Sequence, residues 1–351
     1  MMSLLQETLD KITGIDEQVR KESRDHIDVL LKPVGSLGVL EEIAEQLSAI
    51  TGKVIPEIDK KMVLCFAGDH GVCDEGVSAA PQVFTEIMTP MIAAYKTGVG
   101  VLCRQAGAEV TVYDVGMIPD LPEDCDAIDK KIRRGTANMR KEAAMTREEA
   151  IKALEVGIEA ANKAIDEGYQ VLGTGEMGIG NTTPSTAIFA VLGEVDPNEI
   201  TGVGANLSEE LTQNKAQVIR DAIALNTPDK NDGIDVLSKV GGLEIGAMAG
   251  VMLAGAARKV PVVVDGYIST ASAAIAITLK PEVKEYLICS HASDEKGAKF
   301  GSELLGFKPF LHMDMRLGEG SGAALAFNLL DAAVAMNRDM ATYGDVNMGV
   351  V

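Results

Sequence analysis

Continuous apolar runs restrict this chain more than any other feature. Met62-Val63-Leu64-Cys65-Phe66-Ala67 has no position to turn towards water, and Glu109 to Val115, Tyr169 to Leu172, Val260 to Val264, Tyr286 to Cys289 and Phe310 to Met313 repeat the pattern in shorter or looser form. A strand apolar on both faces has to be covered on both faces, which is the habit of parallel sheets. Segments with helical spacing lie between the runs, over about 82–106, 146–167, 184–193, 208–225, 243–258, 270–279, 294–305 and 320–337. This alternation predicts an α/β fold: a doubly wound parallel sheet of about six strands flanked by helices.

The first sixty residues differ. Leu4, Leu5, Leu9 and Ile12, then Val29 and Leu30, then Leu40, Ile43 and Leu47 follow helical stripes, and no strand pattern occurs. Lys32 to Gly38 reads as a turn, with a helix starting at Ser36. The expected division is a helical portion over 1–60, an α/β body over 61–335, and a C-terminal segment over 336–351 that joins the first. Residues 117–145, with Pro119, Pro122 and an acidic then basic stretch, read as a long exposed excursion.

Composition narrows the function classes. A formal net charge of −20 argues against a nucleic-acid partner or an anionic membrane surface. The five cysteines show no C-x-x-C spacing, and the four histidines show no H-x-x-x-H or H-E-x-x-H spacing, so neither a disulfide framework nor a metal motif is expected. The N-terminus lacks a basic region followed by a long apolar core, and a cytoplasmic location is expected.

In open α/β sheets ligands bind beyond the carboxyl ends of the strands. Those ends here are Gly68-Asp69-His70-Gly71, Gly116-Met117, Gly173 to Thr182, Asp265-Gly266-Tyr267, Ser290 to Asp294 and Asp314 to Gly322. Val171 to Ser185 reads as strand end, glycine loop and helix start, where bare amides and a helix N-terminus form an anion pocket. Gly173 to Gly178 also matches G-x-G-x-x-G, so an NAD(P)-dependent oxidoreductase is one alternative. Against it, Gly180-Asn181-Thr182-Thr183-Pro184 postpones the helix, and Glu176 inside the loop would repel a pyrophosphate.

Glu319, between Gly318 and Gly320, is the sharpest candidate for a reacting group. Leu317 and Met315 are expected to give it apolar surroundings, which raise a carboxylate pKa towards general-base range. The competing role is a carboxylate capping the next helix. Glu176 stands in a similar setting. Asp69-His70 reads as a hydrogen-bonded structural pair before a metal site. Ser290-His291 lacks the G-x-S-x-G of a hydrolase, and Ser293 with the following amides suits a phosphate. Lys215 can reach a phosphate from a polar helix, although a solvated face is its commoner place.

Together the motifs resemble a known family. Lys32-Pro33-Val34-Gly35-Ser36-Leu37-Gly38, Gly68-Asp69-His70-Gly71-Val72, Gly175 to Thr183, Val264-Asp265-Gly266-Tyr267-Ile268, Ser290-His291 and Arg316 to Gly322 occur in the order seen in nicotinate-nucleotide:dimethylbenzimidazole phosphoribosyltransferases, from about residue 30 to residue 342. The resemblance implies a Rossmann-like sheet with a small helical domain built from the chain ends. It implies a homodimer, no metal or redox cofactor, and two small-molecule substrates, nicotinate mononucleotide and a benzimidazole-type base. By motif position Glu319 matches the general base and Glu176 lies near the ribosyl centre. Gly178, Gly204, Lys215 and Ser293 look like phosphate or ribose contacts, with Gly175, Gly180, Asn181, Thr182, Asp265, Leu317 and Gly318 in the same substrate site. Ser78 and Pro81 to Met88 look like part of the base pocket. One position departs from the pattern: Ile87 stands where the family has a pocket glutamine, which puts base specificity in doubt. A catalytically inactive nucleotide-binding regulator is the remaining alternative, and the presence of both Glu176 and Glu319 argues against it.

Overall fold

The computed structural model describes residues 2–202 and 208–350. Its strands are β1 (Lys61–Gly68), β2 (Glu109–Gly116), β3 (Ile128–Asp129), β4 (Val171–Met177), β5 (Val262–Val264) and β6 (Leu287–Cys289). Its helices are α1 (Leu4–Lys11), α2 (Glu17–Asp28), α3 (Val39–Thr51), α4 (Val83–Ala93), α5 (Gly98–Gln105), α6 (Arg147–Asp166), α7 (Thr182–Leu192), α8 (Pro197–Ile200), α9 (Glu209–Asn226), α10 (Gly233–Val240), α11 (Leu243–Ala257), α12 (Tyr267–Leu279), α13 (Ala298–Leu305) and α14 (Ser321–Asp339).

All six strands are parallel, in the order β3-β2-β1-β4-β5-β6. The order reverses between β1 and β4, and that switch point is where a doubly wound sheet opens a crevice at its carboxyl edge. Every residue of β1 is buried. Met62, Leu64 and Phe66 enter one core with α6, α11 and α12, while Val63 and Cys65 enter the other with α3, α5 and α14. The apolar run therefore feeds two cores through the period-two alternation of a strand.

Four expectations change. Phe310 to Met313 forms no strand; Leu311 makes only an isolated bridge with His291. The sixth strand is instead the two-residue β3 at the opposite edge, inside the segment read as an exposed excursion. That segment is partly buried: Met117, Met139, Ala144 and Met145 enter the core, and Lys131 pairs with the buried Asp114 at 2.7 Å. Isolated apolar residues with no period left it unreadable. The helix expected at Ser36 starts at Val39, because Gly35 and Gly38 hold the turn open at positive φ. The single helix expected over 82–106 is two, α4 and α5, broken where Tyr95 takes φ 57°.

The chain ends meet. Leu31 N–H donates to the Ala341 carbonyl at 2.7 Å, and Tyr343 N–H to Val29 at 2.9 Å. α3 lies against α14, while Leu5, Ile12 and Ile15 join the core under α6 and α11. No described helix is long and apolar enough to cross a membrane.

α6 and α11 approach backbone to backbone. A Cβ on Gly157 would collide with the Ala247 carbonyl, and one on Gly250 with the Leu154 carbonyl. Replacing a mid-helix glycine by alanine ordinarily stabilises by about 0.5–1 kcal/mol. Here Gly157→Ala is expected to destabilise by about 1–3 kcal/mol through overpacking. A urea midpoint that rises would disprove this account of the contact.

Candidate active site

The glycine stretch is mostly strand. β4 runs on through Gly173, Thr174, Gly175 and Glu176 to Met177, so the loop proper is only Gly178 to Asn181. The glycines of β4 serve packing: Gly173 has Ala323, Phe327 and Val63 where a Cβ would stand, and a Cβ on Gly175 would strike the Glu319 carbonyl. This also removes the dinucleotide reading, because Gly173 and Gly175 cannot cradle a pyrophosphate from inside a paired strand.

Glu176 is the last side chain of β4 on the α11–α12 face and is buried. One oxygen accepts a hydrogen bond from the Asn181 amide, and the other accepts the Glu319 N–H at 3.4 Å. Asn181 spends its side chain there instead of capping α7. Burial pushes the Glu176 carboxyl up to about 8; the Asn181 hydrogen bond works against this, while the charges of Asp265 and Glu244 reinforce it.

Glu319 arrives from the other face of the sheet. Gly318, Glu319 and Gly320 have φ of 87°, 64° and 100°. A non-glycine residue in this region costs roughly 1 kcal/mol or more, and such outliers cluster at functional sites. The turn lies on the bare face of β4, where a Cβ on Gly320 would be 2.6 Å from Val63 Cγ1 and 3.2 Å from Gly175 Cα. The Glu319 carboxylate accepts the Val99 N–H at 3.1 Å and so caps α5. It does not cap α14.

That cap is Asp265. Its oxygens accept the N–H groups of Gly320 at 3.2 Å, Gly322 at 2.7 Å and Ala323 at 3.2 Å. Burial raises the Asp265 pKa against these bonds and the nearby His291. Asp265 borders the cavity, but its bonds make it the anchor of the Glu319 turn. Ser290 is fully buried and donates to the Asp265 carbonyl at 2.9 Å, so it is no hydrolase nucleophile.

A cavity of about 330 Å³ opens over this pair. Of the residues expected in the site, Ser78, Met88, Glu176, Gly178, Gly180, Asn181, Thr182, Asp265, Ser293, Leu317, Gly318 and Glu319 line it. Gly175 and Pro81 do not: Gly175 is under the Glu319 carbonyl, and Pro81 is exposed ahead of α4. Gly204 lies outside the described residues. Lys215 does not line the cavity either, and it is not on a solvated face. It is buried, with Nζ donating to Thr182 Oγ1 at 2.6 Å. Desolvation pushes its pKa down to about 8. Lys215 thus braces the first residue of α7 from behind.

α4, tied to the loop by the Ile179 N–H donating to Thr85 Oγ1 at 3.1 Å, presents Phe84 and Met88, one helical turn apart, with Val77, Ala80 and Ile179 also lining the cavity. Ile87 faces outward, 49% exposed, and lines nothing. Leu317 borders the cavity beside Glu319, the Gly98 Cβ position being 2.5 Å from Leu317 Cδ2 and 3.4 Å from Glu319 Oε2, but it is 60% exposed, and Met315 does not line the cavity. Phe84 falls within the Pro81 to Met88 stretch expected at the base pocket, whereas Ile179 was not singled out, because a four-residue loop decides which way it faces. Arg316, with its guanidinium 3.5 Å from Asp294, and Ser293 close the rim near Gly178 to Thr182. Among the described residues no group of three or more His, Cys, Asp or Glu side chains is arranged to hold a metal ion.

A phosphoribosyltransferase family model matches residues 12–348. The chain is similar to nicotinate-nucleotide–dimethylbenzimidazole phosphoribosyltransferases: 51% identical over 349 residues to that of Alkaliphilus metalliredigens (strain QYMF), covering 99% of this chain and all of the relative. It is 48% identical over 348 residues to that of Clostridioides difficile (strain 630), with 99% and 100% covered. The crystal structure of the Thermus thermophilus enzyme of that name superposes with a TM-score of 0.90 at 39% identity, covering 95% of this chain and 99% of that one.

If Asp265 anchors the turn, Asp265→Ala should lower stability by about 0.5–2 kcal/mol, the usual worth of a helix cap. Turnover should fall with little change in the KM of an anionic substrate. A raised KM with unchanged thermal midpoint would instead mark Asp265 as a substrate contact.

Proposed function

The chain belongs to the phosphoribosyltransferase family, and on that premise we propose that it transfers the phosphoribosyl group of nicotinate mononucleotide to a lower-ligand base, 5,6-dimethylbenzimidazole or a related one. The products are nicotinate and α-ribazole 5′-phosphate, an intermediate of cobamide biosynthesis. The observation that carries the reading is the convergence of Glu176 and Glu319, from opposite faces of the sheet, on one cavity beside a helix N-terminus.

The transfer follows from the chemistry of the groups. Nicotinate is attached through a pyridinium nitrogen, so it leaves with the electron pair of the C1′–N bond and needs no acid. A ring nitrogen of the incoming base forms the new bond from the opposite face, turning β into α. The second ring nitrogen loses its proton to Glu319, which is the catalytic base. Glu176, ionised, sits beside the ribosyl carbon and stabilises the oxocarbenium-like charge of the transition state. Gly178, Gly180, Asn181 and Thr182, with Ser293 and Arg316, hold the 5′-phosphate at the start of α7, where bare amides and the helix dipole favour an anion. Lys215 supports that end through Thr182, and Gly204 belongs to the same end by motif position. Ser78, Phe84 and Met88 receive the base, with Leu317 and Gly318 closing over it; Ile87 is removed from base selection by its outward position.

The same reading makes the enzyme a cytoplasmic homodimer. Val83, Ile87 and Met91 form an exposed apolar stripe on the outer side of α4, which suits burial against a second copy.

Incubation with nicotinate mononucleotide and a panel of bases, with mass detection of the riboside phosphate, tests the activity and ranks the acceptors. Glu319→Gln should lose about 10²–10⁴-fold in turnover while still binding the nucleotide. Near-normal turnover would refute its role as base.

The pH dependence has a definite sign. Glu176 is raised to about 8, so in the free enzyme it is protonated at neutral pH and gains its charge as pH rises through that value. kcat/KM, which reports the free enzyme, should therefore fall as pH drops below about 8. The limb in kcat should lie lower, because a bound pyridinium favours the carboxylate. Coincident limbs would place the titrating group elsewhere.

A further inference from the structure

A buried imidazole–carboxylate pair stands behind the cavity and takes no part in the transfer step. His70 follows β1, and Glu244 opens α11. His70 Nε2 lies 2.7 Å from Glu244 Oε1, and both side chains are shut off from water. Glycines clear the space for them. A Cβ on Gly242 would be 2.6 Å from His70 Cε1 and 2.8 Å from Glu244 Oε2, and one on Gly68 would be 3.2 Å from that oxygen. A Cβ on Gly178 would be 3.2 Å from His70 Nε2 and 3.4 Å from Asn181 Nδ2. The imidazole and the amide that grips Glu176 thus border the same side-chain-free space.

The charges around Glu176 are lopsided. Asp265 faces it from the end of β5, Glu319 from the turn before α14 and Glu244 from α11, while Asp69 acts on His70 from beyond β1. Arg316 and His291 sit at the cavity wall, and Lys215 lies behind Thr182. Glu244 Oε2 has no hydrogen-bond partner among the described residues, so the bond to His70 is what holds this carboxylate in place. Burial favours a neutral imidazole, but the charge and hydrogen bond of Glu244, then Asp69 and Glu176, hold His70 above its ordinary pKa.

We propose that His70, kept as an imidazolium by Glu244, is a positioning residue that lets Glu176 ionise in the buried site. It rests on the reading of Glu176 as the carboxylate beside the ribosyl centre. The imidazolium cancels the Glu244 charge, which would otherwise add to the desolvation that keeps Glu176 protonated, and Glu244 fixes both the charge and the orientation of the ring. Neither side chain lines the cavity, so the effect of the pair is exerted through the charge of Glu176.

The test reads Glu176 directly. In the full-length protein, the carboxyl stretch of Glu176, assigned by its loss in Glu176→Gln, is titrated by isotope-edited infrared difference spectroscopy. In His70→Gln the midpoint should rise by about one pH unit or more, since Glu244 is left as an uncompensated neighbour. In His70→Gln/Glu244→Gln, where both charges are gone, it should return towards the wild-type value. A midpoint unmoved by His70→Gln, or one equally raised in the double variant, would overturn the proposal. A merely structural role predicts lower stability with an unmoved midpoint. If the variants do not fold, imidazole ¹⁵N spectra of the wild type decide: His70, assigned by elimination through His26, His291 and His312 substitutions, should be doubly protonated at neutral pH. A neutral His70 would overturn the idea. The readout needs no turnover, so an active Glu176→Gln would sink the functional reading while leaving this coupling measurable.

Discussion

The site depends on one close approach, that of the Gly318–Gly320 turn against the bare face of β4. Gly173 and Gly175 offer no side chains on that face, so Ala323 and Phe327 of α14 and the Glu319 carbonyl rest directly on the strand. The turn needs three consecutive residues at positive φ, one of them a glutamate. Its strain is offset by the three amides that Asp265 anchors and by the Glu319 bond to α5. Because the turn crosses the strand at Gly175, the next residue, Glu176, comes up beside it from the other face. Two carboxylates from distant parts of the chain become neighbours through a shortage of side-chain volume.

The electrostatics follow from that packing. Glu176, Asp265, Glu244 and Glu319 are all buried within one region of a protein that is acidic throughout. Such a region is costly while empty and favourable once a cation enters, which suits a pyridinium nucleotide and an oxocarbenium-like transition state. The start of α7 adjoins this region through Asn181, which grips Glu176, with Lys215 behind Thr182 and Arg316 at the rim.

Much of this was legible in the residues. The apolar runs that became β1, β2, β4, β5 and β6 announced a two-faced parallel sheet, and glycines flanking Glu176 and Glu319 marked both carboxylates. Other positions were misplaced for identifiable reasons. Phe310 to Met313 has strand composition, but it makes a single bridge, at Leu311, since no partner beyond β6 extends the ladder. Lys215 has the sequence context of a solvated helix, yet α9 turns it inward to meet Thr182. Leu317 does line the cavity but stays largely exposed, because the positive-φ turn directs Glu319 inward and leaves its neighbour at the rim. Glu244 gave no signal at all: a lone glutamate at a helix start reads as a solvated cap until the fold closes His70 over it.

By itself the sequence determined the layer architecture, the carboxyl edge as the edge that carries the cavity, and the residue types available there, since these depend on hydrophobic period and on local backbone freedom. Tertiary structure alone decided where β4 stops, which carboxylate is desolvated, which caps a helix and which anchors a turn. Those outcomes depend on what occupies the few ångströms around each group. A glycine that reads as loop flexibility in the chain becomes, once a neighbouring backbone lies on it, the reason two acids share one cavity.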